Sequence, residues 1–256
     1  METLMELKPD TECASPVAEC ASLTAPIWQD VLAQAVTGEL VAALNYEALA
    51  HICEDAKETH EALEHAAIER SHAAAFTAAG RKLSVEVVSN VDGKHWKRLR
   101  EAFMRCVAER DYIGCLIVQE IMLESFALAS YSRVANVAPE ALARVFGAIA
   151  AEEREHADHA IAILKVERDA NPEGFDEKLH RLHVEVMTIL AQMLAKDCRD
   201  GHCEVCQFSC VKPALFEVSL SAAQLRGASL QQYLKTLDAL GLPGEVTLTW
   251  IAQLPV

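Results

Sequence analysis

Four glutamates stand where apolar helix faces should be. Glu39 shares a helical stripe with Leu32, Ala35, Val36, Ala42, Ala43 and Tyr46, and Glu69 lies with His72 among Ala62, Ala66, Ala73, Phe76 and Ala79. Glu124 falls inside Cys115–Tyr131, where nearly every neighbour is apolar. Glu153 and His156 share a face with Val145, Phe146, Ile149, Ala160 and Ile163. An ionised carboxylate alone in a dry interior is strongly unfavourable, and four converging would also repel one another. Two divalent cations would cancel four carboxylates, which makes a dinuclear metal site the cheapest account of the arrangement.

The spacing supports that reading. In Glu69-x-x-His72 and Glu153-x-x-His156 the two donors lie at i and i+3, one turn apart on one helix face. A lone Glu from each of two helices plus Glu-x-x-His from each of two others is the donor set of di-iron and di-manganese carboxylate bundles. Hard oxygens with one imidazole per ion suit Fe(II) or Mn(II) and leave positions open for a small molecule. A third match, Glu177-x-x-His180, keeps company with Arg181 and Thr188 and reads as a solvated face.

The rest of the chain is consistent with an all-α protein. Its 256 residues contain 10 Gly, 8 Pro and 5% aromatics, while 52% are hydrophobic, which excludes wholesale disorder and argues for helices over strands. The net charge of −15 is the wrong sign for nucleic acid or an anionic membrane. The longest apolar stretches are interrupted by Gln or Glu, so no membrane span is expected. Met1–Pro16 is acidic without an apolar core, so a cytoplasmic location is expected, with cysteines reduced.

Residues 1–24 read as a mobile leader, 25–197 as the helical bundle, 198–213 as a cysteine-rich loop, and 214–256 as C-terminal helices and tail. Helices are expected from Ile27 to Cys53 with Pro26 in the first turn, and from Lys57 to Ala79 with Gly80 as a left-handed stop. Others are expected around Trp96–Cys106, over Asp111–Val134, over Pro139–Asp169 and beyond Pro172. Ala214–Leu225 and Ser229–Leu240 read as two further helices, and Gly244–Ala252 as a short strand or extended tail.

The motifs resemble those of the ferritin-like non-haem di-iron oxygenases, and most closely the aldehyde-deformylating oxygenases (fatty aldehyde decarbonylases). The resemblance rests on Gly38-Glu39 followed by Asn45-Tyr46, on Glu69-x-x-His72 leading to Phe76 and Gly80-Arg81-x-Leu83, and on Cys115-Leu116-Ile117-x-Gln119. It continues through Glu124-x-Phe126-Ala127-x-Ala129-x-Tyr131, Glu153-x-x-His156 and Lys165. It implies a ferritin-like bundle whose six ligands are Glu39, Glu69, His72, Glu124, Glu153 and His156, with Tyr46, Gln119 and Tyr131 as nearby polar groups. Glu152 would hold a ligand histidine. It further implies two irons, O₂ as co-substrate and an external electron donor such as a ferredoxin. The family's reaction converts a fatty aldehyde to an alkane one carbon shorter plus formate. Ala43, Phe76, Ile121, Ala127 and Leu128 are candidates to line the apolar substrate channel, or ordinary helix-contact residues.

Several positions depart from the family. Glu120 replaces a small apolar residue: it either points outward or brings a fifth carboxylate to add a ligand, hold a proton or recognise an amine. Ala79 stands where a cysteine is common. Cys198, Cys203, Cys206 and Cys210, with His202 among them, suit structural zinc, an iron–sulfur cluster or a redox dithiol, or are unligated. Cys13, Cys20, Cys53, Cys106 and Cys115 read as leader or core residues, and His51, His60, His65, His159 and His183 as structural or exposed. The leading expectation is thus an O₂-activating di-iron oxygenase acting on an apolar small molecule. The alternatives are a different substrate, such as an amine or acid, a ferroxidase or peroxide-reducing protein, and a non-catalytic metal-binding or docking module built on residues 198–213.

Overall fold

A computed structural model describes residues 16–194 and 215–255, with side chains from Trp28 onward. The cysteine cluster Cys198, Cys203, Cys206 and Cys210 lies outside the described residues. Those described are helical, with no strand among them. Helix α1 spans Pro16–Ala50 and α2 Ala56–Lys82, joined by a short turn that makes them a hairpin. Helix α3 covers Lys94–Ala108, and α4 runs over Tyr112–Ala135, with its middle, Ile117–Leu123, wound as a π-helix. Helices α5 (Glu140–Ala170) and α6 (Pro172–Met193) follow, then α7 (Ala222–Ala239) and α8 (Gly244–Ala252).

The α1–α2 hairpin and the α4–α5 pair form the four-helix bundle, with α3 against α1 and α6, α7 against α4, and α8 against α6 and α7. Helix α4 is long and apolar enough to cross a membrane, yet its most apolar stretch is 78% buried, as a core helix must be. Two apolar clusters divide the interior. One holds Tyr46, Ala66, Phe103, Ile121 and Leu164, the other Leu32, Val36, Ala73, Leu128 and Phe146. The glutamates lie where the clusters meet: Glu39 between Val36 and Ala42, Glu69 between Ala66 and Ala73, Glu124 between Leu123 and Leu128. A polar layer therefore crosses the bundle between two oily halves.

Local chemistry sets the ends. Asp55 caps α2 by accepting from the Lys57 N–H, Asn171 caps α6 ahead of Pro172, and Ser221 and Gln224 form a reciprocal capping box on α7. Four expectations are corrected. Helix α1 begins at Pro16, inside the segment read as a leader, so Pro26 is internal and Pro16 takes the first-turn position that proline suits. Gly80 does not end α2; it is helical, and a Cβ there would sit 2.4 Å from Val87 Cγ2, so glycine serves a close approach. The left-handed residue comes at Ser84 instead. Ala214–Leu225 and Ser229–Leu240 are not two helices: α7 starts after the Ser221 cap and runs on through Gly227. Gly244–Ala252 is helical, because Thr247 and Trp250 are the buried pair and their i, i+3 spacing is that of a helix; Val246 and Leu248 face solvent.

Candidate metal centre and apolar channel

Helices α1, α2, α4 and α5 each bring one glutamate to the polar layer, and Glu39, Glu69, Glu124 and Glu153 are all at most 4% exposed. Glu39, Glu69, His72 and Glu153 offer donor atoms that all lie within 4.8 Å of one another. Nδ1 of His72 faces inward, 2.8 Å from Glu153 Oε1, 3.3 Å from Glu39 Oε2 and 3.5 Å from Glu69 Oε2. Its Nε2 lies 2.9 Å from the exposed Glu152 Oε2, so an outer carboxylate fixes the ring with Nδ1 toward the centre. On the other side, His156 Nδ1 approaches Glu153 Oε2 at 3.3 Å.

Proximity does not satisfy these groups. Glu69 Oε1, both oxygens of Glu153 and His156 Nδ1 are buried without a hydrogen bond of acceptable geometry. Buried polar atoms are normally paired, so donors aimed at a common space without bonding one another fit a cation. The set of carboxylate oxygens and two imidazoles fits a pair of divalent first-row ions.

Electrostatics says the same. Burial, then Glu153, drives the Glu69 carboxyl well above its ordinary pKa, and burial, then Glu153 and Glu120, does so for Glu124. Burial also works to raise Glu153, but its contacts with His156 and His72 override this and hold it down to about 2. Burial opposes protonation of His72, yet Glu153, Glu39, Glu69 and Glu152 raise its pKa. Raised pKa values at Glu69, Glu124 and His72 mean that protons offset the crowded negative charge of the cluster itself.

The polar groups expected nearby are all present and buried. Tyr131 O–H donates to Glu39 Oε1, and Tyr46 O–H donates to Glu120 Oε1. Burial, reinforced by neighbouring carboxylates, raises both phenols well above their ordinary pKa, so each stays a donor. Gln119 Nε2 donates to Glu124 Oε1 at 2.6 Å, and Asn45 Nδ2 holds the Gln119 carbonyl oxygen at 2.8 Å. Glu120 points inward rather than to solvent, and burial lifts its pKa to about 7.

The π-helix is what lets one stretch present Gln119, Glu120 and Glu124 together. There the Glu124 N–H donates five residues back, to the Gln119 carbonyl, and the extra residue per turn shifts the register of the face. His65 is a site residue that sequence reasoning missed. Its ring lies 5.1 Å from Tyr46 and 4.5 Å from His156, and burial together with His156 keeps it neutral, with a pKa of about 4. The signal was its i, i+4 spacing to Glu69. The decoy separates: Glu177 is exposed, while His180 rests against Trp250, far in sequence from the cluster.

An apolar channel of about 150 Å³ ends on this layer, with Glu39, Glu69, Gln119, Glu124 and Tyr131 at its polar end. Val31, Ala35, Leu123, Phe126, Phe146 and Leu190 are among its walls. Of the five expected lining residues only Ala127 faces the lumen. Ala43, Phe76, Ile121 and Leu128 are core residues instead, Phe76 being held against Tyr131 and Phe146 by ring contacts.

The family model for long-chain fatty aldehyde decarbonylase matches residues 27–216. The chain belongs to that family. Among solved structures, a Synechococcus protein with aldehyde deformylating oxidase activity superposes with a TM-score of 0.77 at 19% identity, covering 91% of this chain and 98% of that one. At that identity the likeness is one of fold, and it places the chain among ferritin-like helical bundles. Membership of the decarbonylase family identifies the chain as an oxygenase-class enzyme, and its buried Glu/His cluster is able to hold a metal.

Proposed function

We propose that the protein is a di-iron aldehyde-deformylating oxygenase that converts an apolar aldehyde to an alkane one carbon shorter plus formate. Glu39, Glu69, His72, Glu124, Glu153 and His156 would hold the two ions. The observation that carries this reading is an apolar channel with Glu39, Glu69 and Glu124 at its polar end, next to a buried cluster in which Glu69 Oε1, both Glu153 oxygens and His156 Nδ1 lack hydrogen-bond partners. An iron-storage route would be lined by carboxylates along its length, whereas here the only lining carboxylates among the described residues are Glu39, Glu69 and Glu124 and most of the remaining wall is apolar.

When bound, two irons supply the redox chemistry that reduces O₂. The residues of the chain do the rest. The channel walls take the alkyl tail and keep bulk water from the polar end, which strengthens every electrostatic contact there. Gln119 and Tyr131 each hold one oxygen of a carboxylate, Glu124 and Glu39, and so orient the other oxygen. Asn45 in turn fixes the Gln119 amide so that its NH₂ faces Glu124. The aldehyde carbonyl would lie at this end, beside the Gln119 amide and the Tyr131 hydroxyl.

Atom balance requires one aldehyde, one O₂, four electrons and four protons for one alkane, one formic acid and one water. An external one-electron donor of the ferredoxin kind is therefore part of the proposal. The test is to load purified protein with Fe(II), add alkanals of graded chain length with O₂ and a reducing system, and measure alkane and formate. Matched release of both supports the reading; metal-loaded protein that yields neither at any chain length refutes it.

A further inference from the structure

Glu120 is unexplained by the six-ligand set. It is buried on the π-helical stretch of α4, and Tyr46 holds its Oε1 while its Oε2 has no hydrogen-bond partner. A carboxylate oxygen left bare in a dry interior calls for a counter-charge. Tyr46, which holds Glu120, packs its ring 5.1 Å from that of His65, and His65 in turn lies 4.5 Å from the His156 ring. Glu120 and Tyr46 therefore lie on the His156 side of the centre, where Glu153 Oε2 and His156 Nδ1 are also bare.

Glu124 is placed differently. Its Oε1 is engaged by Gln119, and it lines the channel, whereas Glu120, Tyr46 and His156 do not. Two carboxylates one turn apart on α4 thus each have one oxygen clamped by a hydrogen bond, and Glu124 lines the channel whereas Glu120 does not.

We propose that Glu120 is a seventh protein ligand of the dinuclear centre, binding through Oε2 the cation that His156 holds. The inference rests on the metal-centre reading above and extends it. Glu120 then adds to that centre a fifth carboxylate that does not line the substrate channel, and Tyr46 orients it.

The test is anaerobic titration of the metal-free full-length protein with Co(II), whose visible bands report coordination. Wild type should take two equivalents. Glu120→Gln keeps the shape and an acceptor for Tyr46. It should leave the first equivalent unchanged, alter the visible band of the second, and weaken it at least about tenfold, the effect even an outer-shell partner has. Glu177→Gln serves as the control and should match wild type. Tyr46→Phe frees Oε1 without touching the carboxylate and should shift the second ion's band at unchanged stoichiometry. If Glu120→Gln binds both equivalents with wild-type affinity and spectrum, or Tyr46→Phe leaves the second band unmoved, the proposal is overturned. A wild type that takes fewer than two equivalents would instead refute the metal centre itself, and circular dichroism separates either result from misfolding.

Discussion

Glu153 touches both halves of the centre, with Oε1 near His72 and Oε2 near His156. Removing its charge should therefore affect both ions, whereas the same change at exposed Glu177 should affect neither. Glu153→Gln is expected to lower the iron content from two per chain to below about one, because its two oxygens face His72 and His156 separately. Elemental analysis of Glu153→Gln and Glu177→Gln side by side checks this; equal iron contents would show that the wrong Glu-x-x-His pair was chosen. At the channel, Ala127 is the small wall residue whose enlargement should discriminate by substrate length. Ala127→Phe should raise KM for the longest accepted alkanals about tenfold while changing kcat for the shortest less than about twofold, the scale of one or two methylenes in an apolar pocket. Uniform loss at all lengths would place Ala127 outside the substrate path.

At the scale of elements, the C-terminal helices are joined by one histidine. His183 on α6 lies with Nδ1 3.1 Å from the Tyr233 hydroxyl of α7 and Nε2 3.3 Å from the Trp250 carbonyl of α8. Burial, followed by neighbouring His180, lowers its pKa from 6.5 to about 4, and the Trp250 carbonyl only partly offsets this. The folded pKa is below the unfolded one, so on acidification the unfolded chain takes up its proton first. The contribution of His183 is complete above about pH 6.5 and declines as pH falls toward about 4, by at most about 3 kcal/mol. Chemical denaturation across that interval should show stability falling with acid, and the slope should diminish in His183→Gln. A slope identical in wild type and variant would mean that other groups govern it. Helix α4 makes a related point: its Tyr46–Glu120 and Gln119–Glu124 contacts depend on a π-helical register that no propensity scale anticipates.

For the whole molecule, the polar layer is a fault line between two apolar clusters, and a cation that relieves it stabilises the fold by linkage. At a hundredfold excess over Kd the gain is about 2.7 kcal/mol, or roughly 5–10 °C in Tm for a chain of this size. Thermal melts with and without Fe(II) or Mn(II) should show that increase, reversed by chelator. The increase should shrink in acid, because Glu69 and Glu124 have raised pKa values and a cation must displace their protons. A Tm indifferent to metal at saturating concentration would argue that the layer is satisfied by protons alone.

The amino-acid sequence by itself determined the helices and the glutamates and histidines they carry into the polar layer. Glu39, Glu69, His72, Glu124, Glu153 and His156 are legible because helical periodicity is local, and a charged residue on an apolar stripe contradicts its surroundings wherever the helix goes. Only the tertiary structure decided what depends on neighbours distant in the chain. The burial of Glu120 follows from the packing of other helices around α4, where every residue of Ile117–Leu123 is buried whichever way it points. His65 gains its place from a ring on α5, Gly80 from the approach of Val87, and the channel walls from seven helices and loops meeting around a space. A period read along one helix tells which face is buried; which side chain of another helix lies against it is set by three-dimensional contact, which spacing does not encode.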